Sequence, residues 1–417
     1  MPTFAIVGTG HAGLSAALEL RRLGFDGRVV LLGDEPHLPY ERPPLSKAQL
    51  ASDGLPLPLL QSADLLQRQH IEVRTCSSVE LLDVPAARLH LAGGGSLAYD
   101  ELLLATGGRA RTLASLPGGH HALTLRNYDD ALTLRGRLAA PPGRLVVVGA
   151  GVIGLEVAAT ARGLGWNVTV LECGDRPLAR MLTPELSGFL AGVHAAAGVE
   201  LHFGVSVQAL EAGADGRIAV LMNTGTNTGT NTRTVLADLV VAGIGMQPNI
   251  ALARDAGLDT TDAILVDEFG RTSAPHVHAA GDVASLWHPR LQRRLRFESW
   301  QHAARHAAAA ARTMLGRGEP YNELPWSWTD QFDINLQIVG LPLAADHTLL
   351  RGTLAERKFV ALHLQGRKLV GATLVNLGRE MRPCKALIEC GEDLDLARLA
   401  NPAVSLREYA AHTSTMA

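Results

Sequence analysis

Short apolar runs alternating with amphipathic stretches set the texture of the first half of the chain. Residues 4–7 form an unbroken apolar run of strand length, and residues 14–23 repeat apolar positions at helical spacing. A second apolar strand follows at residues 28–32. A loop with Pro36, Pro39, Pro43 and Pro44 then leads to a buried strand at 102–104, ending in Ala105-Thr106-Gly107-Gly108. After a linker containing Pro117, Gly118 and Gly119, and a short helix near 127–138, the series restarts: strand at 145–148, helix at 155–164, strand at 168–171. Later runs at 239–245 and 278–283 echo the strand at 102–108, and an alanine-rich helix is expected at 301–315. Beyond residue 325, residues 359–364 and 369–375 alternate as an antiparallel hairpin around Gln365-Gly366-Arg367, with a helical tail after Gly378. The repeat Asn-Thr-Gly-Thr-Asn-Thr-Gly-Thr-Asn-Thr at 223–232 reads as an elongated hairpin loop without function, since lengthening a surface loop costs little.

A glycine motif occupies the same place in both halves. Gly8-Thr9-Gly10-His11-Ala12-Gly13 joins the first strand to its helix, and Gly149-Ala150-Gly151-Val152-Ile153-Gly154 does so 141 positions later. Alone the spacing is weak; between a strand and a helix it is a dinucleotide fingerprint. Gly8 and Gly149 permit a tight turn, Gly10 and Gly151 let backbone approach a pyrophosphate, and Gly13 and Gly154 let helix pack on strand. Two copies mean two dinucleotides, and electrons moving between them. Glu172 ends the strand after the second motif, where a carboxylate accepts both ribose hydroxyls and repels a 2′-phosphate, so NADH is favoured over NADPH. The competing reading leaves Glu172 solvated and gives a phosphate to Arg176. After the first motif either Asp34 or Glu35 can hold a ribose, and Asp34 is the choice. The expected fold is α/β, with two Rossmann-like dinucleotide-binding domains and a smaller C-terminal α+β domain. The boundaries are 1–111 and 242–320 for the interrupted first domain, 112–241 for the second, and 321–417 for the third.

Composition narrows the function classes. A chain of 417 residues, 47% of them hydrophobic, has enough apolar surface for several cores. The net charge of −3, from 38 basic and 41 acidic residues, argues against nucleic acid and against an anionic membrane surface. Cys76, Cys173, Cys384 and Cys390 form no CxxC pair and no metal-ligand cluster. No signal peptide and no membrane span are visible, so a soluble, cytoplasmic protein is expected.

The chain resembles the FAD-dependent pyridine nucleotide oxidoreductases, and within them the NADH:ferredoxin reductases serving Rieske-type aromatic-ring dioxygenases. The residues that carry this are Tyr40-Glu41-Arg42-Pro43-Pro44-Leu45-Ser46-Lys47, Ala105-Thr106-Gly107-Gly108, Gly151-Val152-Ile153-Gly154-Leu155-Glu156-Val157-Ala158, Ala280-Gly281-Asp282-Val283, Glu298-Ser299-Trp300 and Pro325-Trp326-Ser327-Trp328-Thr329-Asp330-Gln331. Reductases of putidaredoxin and rubredoxin are similar. The resemblance implies FAD in the interrupted first domain, with Ala12 at the pyrophosphate, Arg42 and Lys47 along the cofactor, Val79 at the adenine, and Arg126, Asp282 and Trp300 lining the rest. NAD(H) falls to the second motif, including Val152 and Ile153, with Arg180 reaching a phosphate or ribose and Gly245 completing the site.

The same resemblance pairs Lys47 with Glu156 near flavin N5, where the pair positions the reactants while the cofactors supply the chemistry. Trp328 matches an aromatic residue over the exposed flavin edge, where a small redox protein docks; Trp326 stays undecided between that role and core. Glutathione-reductase relatives carry a cysteine pair where this chain has residues 42–47, and thioredoxin reductases carry one in the NAD domain. Neither pair exists here, so electrons are expected to leave singly to a one-electron carrier. A Rieske-type iron–sulfur ferredoxin feeding a terminal dioxygenase is the expected partner. Rubredoxin or cytochrome P450 ferredoxin reduction, and a redox-sensing flavoprotein of the apoptosis-inducing-factor type, are the alternatives. Arg290, Arg293, Arg294 and Arg296 form a basic patch suited to an acidic ferredoxin.

Overall fold

The computed structural model describes residues 1–223 and 232–416. The chain divides into two compact units. The first comprises Met1–Pro43, Pro56–Arg109 and Met246–Glu323, and the second Pro44–Leu55, Ala110–Gly245 and Leu324–Ala417. Residues 44–55, which carry Lys47, lie inside the first stretch of the sequence-based division yet group with the second unit.

The first unit is built on a five-stranded parallel sheet. Its order is Val277–Ala279, Glu101–Leu104, Thr3–Val7, Arg28–Leu32, Ile71–Arg74. The central strand reads as a continuous apolar run because both faces are covered, as parallel sheets require. One face packs against the helices His11–Arg22 and Trp300–Met314 through Ile6, Leu31, Leu103, Ala16, Ala307 and Ala311. The alanines let the two helices approach closely. A three-stranded antiparallel sheet, Val79–Asp83, Arg88–Leu91 and Ser96–Ala98, adds Leu82, Leu89 and Leu97 to a second apolar cluster.

In the second unit a four-stranded parallel sheet runs Glu200–Phe203, Asn167–Glu172, Arg144–Val148, Leu239–Ala242. Beside it lies an antiparallel sheet of Ser206–Ala212, Ile218–Asn223 and Thr232–Ala237. The connection at 224–231, which holds most of the Asn-Thr-Gly-Thr repeat, lies outside the described residues. The C-terminal part is a five-stranded antiparallel sheet, ordered Trp326–Gln331, Ile334–Gly340, Lys368–Val375, Lys358–Gln365, His347–Thr353, against which Met381–Cys390 packs. The fold is therefore α/β with two parallel nucleotide-type sheets and an α+β C-terminal part.

Two helices begin earlier than the apolar pattern predicts. They span His11–Arg22 and Val152–Gly163, each with the second motif glycine as N-cap, because the later residues of the glycine motif read as turn although they already form the first helical turn. The helix Tyr128–Leu138 starts from a capping box in which Asn127 and Asp130 satisfy each other's backbone N–H.

Candidate active site

The first glycine cradle is shaped by close backbone approach. Gly8 has φ +121, and a Cβ there would lie 2.1 Å from the Ala105 carbonyl oxygen; a Cβ on Gly13 would lie 1.9 Å from the Gly8 oxygen. At Gly10 a Cβ would meet nothing within 4 Å. Two glycines are closed by protein and the middle one faces open space, which is the arrangement a pyrophosphate needs. The residues present thus fit a dinucleotide.

Other expected residues belong to the same unit as this cradle. His11 stacks on Trp300 with ring centroids 4.3 Å apart. Asp282 sits in the turn Gly281–Val283, and a Cβ on Gly281 would lie 3.0 Å from the Ala12 Cβ. Both ring nitrogens of His11 are buried without a hydrogen-bond partner among the described residues, and burial pushes its pKa down to about 4 despite Asp282. Arg42 donates to Glu35 at 2.6 Å and to the Tyr40 hydroxyl at 3.1 Å. Burial lowers the Arg42 pKa, but Tyr40, Glu35 and Asp282 more than reverse this. Glu35 is thus engaged by Arg42 and Tyr40, while Asp34 is exposed. Val79 begins the strand Val79–Asp83, half-buried against the apolar cluster around Leu82 and Leu89.

The second cradle repeats the first nearly dihedral for dihedral. Gly10 has φ −75 and ψ −171; Gly151 has φ −77 and ψ −179. Gly8 N–H donates to Leu32 and Gly149 N–H to Leu171, each at 2.7 Å. A Cβ on Gly154 would lie 2.1 Å from the Gly149 oxygen, whereas one on Gly151 would meet only the Gly243 oxygen at 3.7 Å. Ile153 is 41% exposed at the helix start, an apolar surface beside the cradle. The Glu172 carboxylate accepts the Ala150 N–H at 2.6 Å and the Gly174 N–H at 2.7 Å, which fixes it at the mouth of the motif. Arg176 is held by Asp175 and the Ala179 carbonyl. Arg180 is exposed, with its guanidinium beside Gly245, which has φ +95. Arg126 precedes the helix Tyr128–Leu138, its backbone N–H on Asp130.

Within the second unit the implied ion pair is formed. Lys47 Nζ lies 2.8 Å from Glu156 Oε1, and Glu156 is 2% exposed. Further donors reach the same carboxylate: the Ser46 hydroxyl binds Oε2, and the Thr329 hydroxyl binds Oε1 at 2.6 Å. A buried carboxylate is tolerated only when its lone pairs are filled, and here three side chains fill them. Glu156 lies in the first turns of the helix Val152–Gly163, two residues past Gly154. Ser46 and Thr329 stand within the family-like sequence blocks, where nothing local links them to Glu156.

Trp328 and Trp326 project from one face of the strand Trp326–Gln331 and stack, with centroids 5.3 Å apart and planes inclined by 21°. Trp326 Nε1 is buried and lacks a hydrogen-bond partner among the described residues. The basic cluster is partly structural: Arg294 donates to the Val266 and Ser285 carbonyls, each at 2.9 Å, and Arg296 pairs with Glu298. All four cysteines are free; Cys76 and Cys173 are exposed and Cys384 is buried. Among the described residues there is no candidate metal cluster and no helix long and apolar enough to cross a membrane.

The family described as pyridine nucleotide-disulphide oxidoreductase matches residues 2–307. The chain belongs to that family. The family works with a flavin and a pyridine nucleotide, in agreement with the two cradles. A second family, described as reductase C-terminal, matches residues 326–410. The anthranilate 1,2-dioxygenase system ferredoxin–NAD(+) reductase component of Burkholderia cepacia is 40% identical, over 97% of this chain and 98% of its own. Rhodocoxin reductase of Rhodococcus erythropolis is 39% identical over 93% and 89%. Among solved structures, the covalent putidaredoxin reductase–putidaredoxin complex matches with a TM-score of 0.91 at 35% identity, covering 99% of both chains.

Proposed function

We propose that the protein is an FAD-containing NADH:ferredoxin oxidoreductase that feeds a Rieske-type iron–sulfur ferredoxin of an aromatic-ring dioxygenase system. The observation that carries this reading is the absence of a cysteine pair from a family otherwise known for disulphide chemistry. Residues 42–47 are Arg-Pro-Pro-Leu-Ser-Lys, and all four cysteines are free thiols. FAD is assigned to the first cradle, where Ala12, Arg42, Asp282 and Trp300 belong to one unit, and NADH to the second, where Glu172 stands in place of a phosphate-binding group. A flavin held there would supply the means of accepting two electrons from a reduced nicotinamide and passing them on one at a time.

The chain's own residues position these reactants. Gly10 and Gly151 admit the two pyrophosphates. Glu156, itself buried, orients the partly exposed Lys47 ammonium. Trp328 supplies a flat aromatic surface for the docked carrier. The dioxygenase assignment draws on the Burkholderia relative, whereas the rhodocoxin and putidaredoxin relatives name other carriers. Steady-state turnover with each carrier class therefore tests the reading: a Rieske-type ferredoxin is expected to give the highest kcat/KM. NADPH is expected to fall at least about tenfold below NADH, or ~1.4 kcal/mol of discrimination. Faster turnover with rubredoxin, or equal use of NADPH, would contradict it.

A further inference from the structure

The Thr329 contact to Glu156 is the first link of a longer chain. Gln331 Nε2 donates to Thr329 Oγ1 at 3.0 Å, and Gln331 Oε1 lies 2.7 Å from His194 Nε2. Thr329, Gln331 and His194 are 3%, 1% and 0% exposed. Thr329 and Gln331 alternate on the face of the strand Trp326–Gln331 opposite the stacked tryptophans, and His194 comes from the helix Pro184–Ala196.

The direction of every hydrogen bond follows from its Glu156 end. An ionised carboxylate only accepts, so the Thr329 hydroxyl donates to it and has only lone pairs left for Gln331. Gln331 must then present its NH2 to Thr329 and its oxygen to His194. An amide oxygen only accepts, so His194 Nε2 carries the proton; burial holds the ring's pKa below its ordinary value, which favours the neutral form. His194 Nδ1 is thereby an acceptor, buried and without a partner among the described residues. Phe332, with φ +55, covers the same ring edge-on at 5.0 Å. An aromatic residue in the left-handed region is strained, so the turn that presents Gln331 is held there by its surroundings.

We propose that Thr329, Gln331 and His194 are positioning residues for the Lys47–Glu156 pair, forming a one-way hydrogen-bond chain that keeps the Glu156 carboxylate aimed at Lys47. This rests on the reading above that the pair faces the reacting nicotinamide. Valine in place of Thr329 keeps the shape and removes the donor, leaving the buried carboxylate one bond short; serine restores the donor.

The test uses flavin-loaded protein and two readouts. One is the acylation rate of Lys47 by an amine-reactive ester, followed by peptide mass spectrometry with Lys358 and Lys368 as internal references. The other is the stopped-flow limiting rate of flavin reduction by NADH, separated from NADH half-saturation. Thr329→Val is expected to raise Lys47 labelling about threefold and to lower the limiting rate about tenfold with half-saturation within about twofold, and Thr329→Ser to restore both. Gln331→Leu is expected to give smaller changes of the same sign. It leaves the direct contacts of Glu156 in place and decides the matter if Thr329→Val does not fold. Wild-type labelling and rates in both valine and leucine variants, or in Gln331→Leu alone where only that one folds, would overturn the proposal. A wild-type protein that NADH does not reduce would instead overturn the functional reading, while the labelling comparison still decides the chain.

Discussion

At the scale of residues, the buried histidines tie stability to pH. Burial pushes His306 down to about 3 and His363 to about 4, and holds His302 well below its ordinary value. His306 Nδ1 accepts the Gly281 N–H, a bond that only the form lacking a proton on Nδ1 can make. The unfolded chain, with histidines near 6.5, binds more protons than the folded one between that value and about 3–4, so stability rises with pH across this window. The contribution is complete above about 6.5 and is lost as pH falls through the folded values. Each such histidine adds a slope of up to ~1.4 kcal/mol per pH unit. The urea midpoint is therefore expected to drop between pH 7 and pH 5, and His363→Gln to shallow that dependence; a flat profile would contradict it. At this scale the sequence showed Lys47 and Glu156 only through family resemblance. The contacts of Ser46 and Thr329 with Glu156 were not legible because these residues lie 110 and 173 positions from it, a separation that no local pattern bridges.

At the scale of elements, the two glycine turns make separable demands. Alanine at Gly13 or Gly154 would press a methyl group into a backbone carbonyl 1.9 or 2.1 Å away, which neither helix nor strand can yield. Gly13→Ala is expected to emerge without flavin. Gly154→Ala is expected to retain flavin and its reduction by dithionite but to lose at least about 90% of reduction by NADH, a loss of ~1.4 kcal/mol or more in transition-state binding. Gly10→Ala meets no protein atom, so the apoprotein should melt as wild type and fail only in flavin binding. Absorbance spectra and thermal melts check all three. These strand–turn–helix units were legible in the sequence because short-range sterics define them. Their helix starts were not, since Gly10 and Gly151 cap helices whose first turns are made of the motif residues themselves, which read as part of the turn.

At the scale of the whole molecule, carrier choice depends on surface as well as chemistry. The basic patch seen in the sequence is smaller in the structure, because Arg294 and Arg296 are spent on carbonyls and on Glu298. Arg293 is exposed, and Arg293→Glu is expected to raise the KM for an acidic ferredoxin about threefold at low salt while leaving that for NADH unchanged. An unchanged ferredoxin KM would remove the patch from the account. The broad α/β plan was legible from apolar runs, but the grouping of residues 44–55 with the second unit was not, since it depends on contacts far apart in sequence. The central claim is that electrons from NADH reach a flavin and stop there until an outside carrier takes them one at a time, with no cysteine in the path. Anaerobic titration of the purified protein with NADH, read by visible absorbance and by thiol count, tests it most directly. The expected result is bleaching of a bound flavin by one equivalent of NADH with the thiol count unchanged; a colourless protein, or two new thiols per chain on reduction, would contradict it.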